Sequence, residues 1–161
     1  MIFSGRWLMN DIISNKTHRI AIDTNFLVDL DITVSPRHEK VLSILNDLGK
    51  SKSEIYVTAD ALLEYVHVVT DAKRFPNPFS LKMALERISY INNHPHFTIL
   101  HSDQDDFEIC MQWIQKYNLG RKRLTDTMMA ATYFNNGITE LWTANAKDFE
   151  IFDCFDIKST V

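Results

Sequence analysis

The sequence predicts an α/β protein, a three-layer α/β/α domain in which helices cover both faces of a mostly parallel central sheet of four or five strands. Three observations predict it. Short runs rich in β-formers alternate along the whole length with segments whose apolar residues recur at helical spacing. The run Ile20-Ala21-Ile22 is apolar without interruption, as a central parallel strand covered on both faces requires, and it stops on Asp23. At 161 residues and 45% hydrophobic content, the chain is long enough for one well-buried core and short for two domains.

The elements follow in order. After Asp23, the positions Phe26, Leu27 and Leu30 read as a first helix, with Asp23 or Thr24 able to cap its free N–H groups, until Ser35-Pro36 breaks it. Val41, Leu42, Ile44, Leu45 and Leu48 predict a second helix from Arg37 to Leu48, with Gly49 as terminator. Ile55-Tyr56-Val57-Thr58 is a second strand. From Ala59 to Thr70 a helix is apolar nearly all round, and its polar residues Asp60, Glu64, His67 and Asp71 stack on a single face. That stripe is either the solvated side of a buried helix or a side facing a cleft, with Glu64 at its centre.

Phe75-Pro76-Asn77-Pro78 is a loop, because two prolines one residue apart stop a helix. Ser80 caps the next helix, which runs through Leu81, Ala84, Leu85, Ile88 and Ile91. His94-Pro95-His96 then reads as loop surface rather than a ligand pair, since no Cys or acid lies near it in sequence. Phe97-Thr98-Ile99-Leu100 is a third strand, and Ser102 or Asp103 starts a helix that ends before Gly120. Arg121-Lys122-Arg123, the densest basic cluster, leads into Leu124-Thr125-Asp126 and a helix through Met128, Met129, Ala130, Ala131, Tyr133 and Phe134, closed by Asn135-Asn136-Gly137. Asp126 therefore sits at a helix N-terminus, where a carboxylate suits both capping and an ionised ligand. Glu140-Leu141-Trp142-Thr143 is a fourth strand, followed by the turn Ala144 to Phe149 and a last apolar run around Phe155-Asp156-Ile157.

Composition narrows the function. A net charge of −4 argues against a surface that holds nucleic acid by bulk electrostatics, yet does not exclude a nuclease that holds metal with carboxylates. Cys110 and Cys154 are far apart, which suits a reducing cytoplasm and predicts core or half-buried thiols rather than a zinc site or disulfide. Polar residues interrupt the first 17 positions too often for a signal peptide or membrane span, so residues 1–17 are expected to be an N-terminal extension and residues 18–161 a single domain. Met9 leaves open whether residues 1–8 belong to the natural start.

The strand-end Asp23-Thr24-Asn25, Glu64 within an apolar helix, Thr125-Asp126 opening a Met/Ala-rich helix, and Thr143-Ala144-Asn145-Ala146-Lys147-Asp148-Phe149 after a strand together resemble the PIN-domain family, from Arg19 to about Ile157. The chain is most similar to its VapC-type toxin branch in size, in the Arg74-to-Pro78 loop and in the Leu141-Trp142-Thr143 strand. The resemblance implies a Mg²⁺- or Mn²⁺-dependent endoribonuclease, cytoplasmic and dimeric, held silent by a small VapB-like antitoxin. It maps the family's acids onto Asp23, Glu64 and Asp126. The fourth falls where this chain has Asn145 and, three later, Asp148, a departure that bears on a second metal.

Close carboxylates cannot all ionise without a cation, and Mg²⁺ takes oxygen ligands while keeping several waters. In this reading Asp23 and Asp126 bind the principal ion, Glu64 binds or orients through water, and Asp148 positions a second ion or the attacking water. Asn25 belongs to the same strand-end group, Thr143 and Asn145 hydrogen-bond the acids or the phosphate, and Arg121, Lys122 and Arg123 contact the RNA backbone. A dehalogenase-like phosphatase would need an acid at Asn25, and a dinucleotide-binding domain would need a glycine loop after the first strand. The remaining alternative is a PIN-like domain that has lost catalysis and binds RNA or protein.

Overall fold

The computed structural model describes residues 17–161. The extension expected over residues 1–17 lies, Thr17 apart, outside the described residues.

Five strands, β1 (Arg19–Ile22), β2 (Glu54–Thr58), β3 (Phe97–Leu100), β4 (Glu140–Thr143) and β5 (Asp156–Ser159), form one sheet in the order β3-β2-β1-β4-β5. Every neighbouring pair is parallel. Seven helices connect them: α1 (Thr24–Asp31), α2 (His38–Lys50), α3 (Ala59–Val69), α4 (Leu81–Asn93), α5 (Gln104–Lys116), α6 (Leu124–Asn135) and α7 (Ala146–Glu150). The result is the three-layer α/β/α arrangement that the alternating pattern predicts, with α1 packed on α2 and α3, and α5 packed on α6.

The order of the strands follows from their side chains. Ile20, Ala21 and Ile22 have no exposed surface, so β1 must be central and covered on both faces. β3 and β5 keep exposed or half-buried residues throughout and take the edges. Parallel strands put all their carboxyl ends on one rim, and α/β sheets bind ligands outside that rim.

Side chains cap the starts of α1, α3, α4 and α5. Asp23 caps α1, Thr58 caps α3 and Ser80 caps α4, each accepting from a backbone N–H within the first turn. Asp103 and Asp106 form a reciprocal capping box on α5. The ends of α2, α5 and α6 share another device: Lys52, Asn118 and Gly137 take φ of 53°, 50° and 67°. At α2 the Ser53 N–H donates to the Leu48 carbonyl and the Lys52 N–H to that of Gly49, the paired bonds of a Schellman end. Gly49 is therefore not the terminator expected from sequence; it lies inside α2, and Lys52 takes the left-handed position.

The polar stripe expected along α3 also divides. Asp71 lies past the helix end, where it accepts from the Lys73 N–H at 2.8 Å and approaches Arg74 Nε at 3.6 Å. Asp60 accepts from the Ser102 hydroxyl at 3.1 Å, His67 is exposed, and only Glu64 turns to the acidic rim.

Asp29 and Asp31 are each paired with an arginine. Asp29, 3% exposed, accepts from Arg37 Nε at 2.6 Å and Nη2 at 3.1 Å and from the Ser35 hydroxyl at 2.6 Å, clasping the link between α1 and α2. Asp31 accepts from Tyr65 at 2.7 Å and Arg87 at 2.8 Å, joining α1, α3 and α4. Cys110 is buried and Cys154 half-buried, both free thiols, as expected. His94 and His96 lie in the connection between α4 and β3. No helix among the described residues is long and apolar enough to cross a membrane.

Candidate metal centre

The site begins where β1 runs out. Asp23 continues the ladder, its N–H donating to the Trp142 carbonyl at 3.2 Å, and then turns into α1 as its N-cap. Both carboxylate oxygens are engaged: Oδ1 accepts from the Phe26 N–H at 2.8 Å, and Oδ2 accepts from the Thr143 hydroxyl at 2.6 Å. Thr143 Oγ1 also accepts from the Asn145 N–H at 2.9 Å. One hydroxyl thus fixes the acid ending β1 and the turn leaving β4. Tyr133 of α6 donates to the Ile22 carbonyl at 2.6 Å, which ties α6 to the same strand end.

Glu64 reaches the rim from α3. Its Oε2 accepts from the Thr24 hydroxyl at 2.8 Å, so the residue after the first acid positions the second. Asp126 reaches it from the first turn of α6. That helix starts earlier than the sequence suggests, because Arg121–Arg123 form a 3₁₀ turn running directly into it. Asp126 is consequently the third helical residue and makes no capping bond, leaving its carboxylate to the cavity.

A cavity of about 250 Å³ opens among these residues, lined by Asp23, Asn25, Glu64, Lys122, Asp126 and Asn145, with Thr24, Thr125 and Met129 completing its wall. Larger cavities lie elsewhere on the surface; this one alone gathers the acids of the rim. Burial pushes the Asp23 carboxyl up to about 6 from an ordinary 3.8, against the opposing hydrogen bonds from Thr143 and Phe26, and the charges of Asp126 and Asp29 add to the rise. Asp126 is likewise raised to about 6, by burial first and then by the charges of Asp148 and Glu64, with Arg123 opposing. Such repulsion among carboxylates is what a cation relieves.

The donor set fits a hard divalent ion: carboxylates from three elements, two amides and hydroxyls, all offering oxygen donors on one small cavity. Among the described residues no group of three or more His, Cys, Asp or Glu converges closely enough to hold a metal by itself. Mg²⁺ is commonly held by one or two carboxylates with waters completing its shell, so the looser arrangement suits it.

The structure therefore brings Asp23, Asn25, Glu64, Asp126 and Asn145 to one cavity, with Thr143 buried behind Asp23. Asp148 stands to one side, outside the cavity wall, where Arg123 Nη1 meets its Oδ1 at 3.2 Å and Nη2 donates to its carbonyl. The basic trio splits accordingly: Arg121 is exposed, Lys122 lines the cavity, and Arg123 is turned onto the acids. Thr24, Thr125 and Met129 join the cavity wall without being among the site residues expected from sequence, although Thr24 and Thr125 stand in the motifs; for Thr24 the available signal is a hydroxyl directly after an acid at a strand end.

A parallel strand that delivers Asp23 to its carboxyl end, where Glu64 and Asp126 arrive from two helices, defines an α/β domain with an acidic site on the sheet rim. The chain belongs to the PIN-domain family: the family model described as PIN domain matches residues 20–153. No curated relative matches it. Among solved structures it is similar to VapC20 of Mycobacterium tuberculosis, described as a sarcin-ricin loop cleaving toxin, at 19% identity and a TM-score of 0.58, covering 76% of this chain and 86% of that one. It is similar also to FitAcB from Neisseria gonorrhoeae, at 19% identity and a TM-score of 0.62 over 88% and 97% of the two chains. DNA-bound VapBC from Salmonella typhimurium gives 14% identity and a TM-score of 0.64 over 90% and 100%. The likeness to the VapC branch thus holds at the level of the fold.

Proposed function

We propose that this chain is a divalent-metal-dependent endoribonuclease of the VapC toxin kind, which hydrolyses RNA phosphodiester bonds and is kept silent by a small antitoxin. The observation that carries this reading is the convergence of Asp23, Glu64 and Asp126 on one cavity, with two of the three raised to about 6. Carboxylates pressed together at that energetic cost suit a bound cation better than a structural role. Similarity to a toxin that cleaves the sarcin-ricin loop and to toxin–antitoxin complexes supports the substrate class and the partner.

In this reading Asp23 and Asp126 would hold Mg²⁺ or Mn²⁺, with Glu64 beside them. When bound, the ion would supply positive charge for the scissile phosphate and for ionising a nearby water. Thr143 holds Asp23 in its binding rotamer, and Thr24 does the same for Glu64. Asn25 and Asn145, both on the cavity wall, offer amide donors to the phosphate oxygens, and Lys122 adds a cation for the backbone. Asp148, set beside Asp126, stays outside the cavity wall and is paired with Arg123. The chain works as a cytoplasmic homodimer.

A second reading, a PIN domain that binds RNA or protein without cutting, is favoured by one observation: among the described residues no three acids enclose an ion site unaided. Cleavage of a structured RNA pool with and without Mg²⁺ or Mn²⁺, comparing the chain with its Asp126→Asn variant, separates the two. Metal-dependent cutting that falls at least about 100-fold in the variant is expected, since losing a ligand costs more than losing a group behind one. Equal behaviour of the two proteins would leave the binding module.

A further inference from the structure

Arg123 is the one member of the basic trio whose charge is spent inside the protein. Its side chain is 22% exposed, and all three guanidinium nitrogens lie against the acidic rim. Nη1 meets Asp148 Oδ1 at 3.2 Å, Nη2 donates to the Asp148 backbone carbonyl, and Nε stands 3.8 Å from Asp126 Oδ2. That Nε is buried and has no hydrogen-bond partner. A guanidinium serving only a structural pair would normally satisfy such a donor, because leaving it unmet is costly. Here the group is drawn towards a second carboxylate that it does not fully reach.

We infer that Arg123 stands in place of a second cation, neutralising Asp148 and lying beside Asp126 from within the chain, so that the cavity takes one divalent ion and not two. The inference rests on the metal-site reading above and concerns how many ions that site takes.

Charge and placement both lead there. Three carboxylates and Lys122 line the cavity, which leaves two negative charges when all are ionised, the amount that one divalent ion cancels. Asp148, the acid that would help hold a further ion, lies outside that wall with its carboxylate already paired. The turn after β4 gives the cavity Asn145, a neutral amide. A two-ion site needs carboxylates able to clamp ions on both sides of the reacting phosphate, and here one side is already held by a fixed guanidinium. Because Arg keeps its charge at all physiological pH values, this replacement is permanent.

The test is the number of ions bound, read by calorimetric titration of the whole chain with MnCl₂ near neutral pH and by the electron paramagnetic resonance spectrum of the loaded protein. One Mn²⁺ per chain with an uncoupled spectrum is expected for the wild type. Arg123→Ala, checked by circular dichroism for retained fold, is expected to bind two with a spin-coupled spectrum, and the added Asp148→Asn to return it to one. Arg123→Lys, which keeps a cation in place, is expected to remain at one. Two ions in the wild type, or one ion in both wild type and folded Arg123→Ala, would overturn the inference while leaving the site intact. No ion in any variant would instead remove the metal site, and this inference with it.

Discussion

Thr143 donates its hydroxyl proton to Asp23 Oδ2 over 2.6 Å, although 120 residues separate the two in sequence. Both are buried, and the bond opposes the rise that burial imposes on the Asp23 carboxyl.

Replacing that hydroxyl tests the bond. Thr143→Val keeps the shape and removes the donor, so Asp23 is left buried with one bond fewer, at a cost of about 1–3 kcal/mol near neutral pH. Asp23 ionises less readily in the variant, so its deficit shrinks as pH falls. Urea unfolding at acid and neutral pH measures the difference, and Thr143→Ser should recover most of it.

Stability should also follow the paired acids. Asp23 and Asp126 ionise near 6 in the folded chain against 3.8 in the open one, so between those values the native state holds more protons. Their contribution is fully present below about pH 4 and is lost as pH rises through about 6. A divalent ion binds the ionised forms and should reverse the loss. Thermal melts across that range, with a chelator and then with Mg²⁺, should show Mg²⁺ raising Tm at neutral pH and not at low pH. In Asp23→Asn/Asp126→Asn both the decline and the rescue should flatten.

Lys122 and Arg123 should behave differently towards RNA. Lys122 lines the cavity and is exposed, so Lys122→Ala should weaken RNA binding whatever the sequence and reduce the slope of log affinity against log salt by about 1. Arg123, bound to Asp148, should leave that slope unchanged when replaced by Gln. Filter binding over a salt series gives both slopes.

At the end of α2, Lys52 takes φ 53°, a conformation that costs an L-residue about 1 kcal/mol and glycine little. Lys52→Gly should therefore raise Tm by about 2–4 °C for a domain of this size. A differential scan measures it.

Much of this fold is local in origin, and that part is legible in the sequence. The unbroken Ile20-Ala21-Ile22 run locates the central strand, and Asp103 and Ser80 announce their helices by capping chemistry. β5 is harder: as an edge strand with a half-buried pattern, it shows only Ile157 and neighbours as an apolar hint. Gly49 misleads because Lys52 tolerates the left-handed position that a glycine signal would normally mark. The site divides in the same way. Asp23, Glu64 and Asp126 stand out by their places at a strand end, within an apolar helix and at a helix start. The engagement of Arg123 with Asp148 does not, since its partner lies 25 residues on and the pairing depends on how α6 and α7 meet. A row of three basic residues looks uniform until the 3₁₀ turn points each one elsewhere.

The strand order has a further consequence, for timing. β1 is made early and β4 late, yet they are neighbours in the sheet, and the second oxygen of the Asp23 carboxylate is held only when Thr143 arrives. A chain still emerging from the ribosome carries Asp23 and Glu64 long before it has Thr143, the second holder of Asp23. Asn145, two residues beyond Thr143, is the last of the cavity's lining residues to be made, so the acidic cavity is completed late in synthesis.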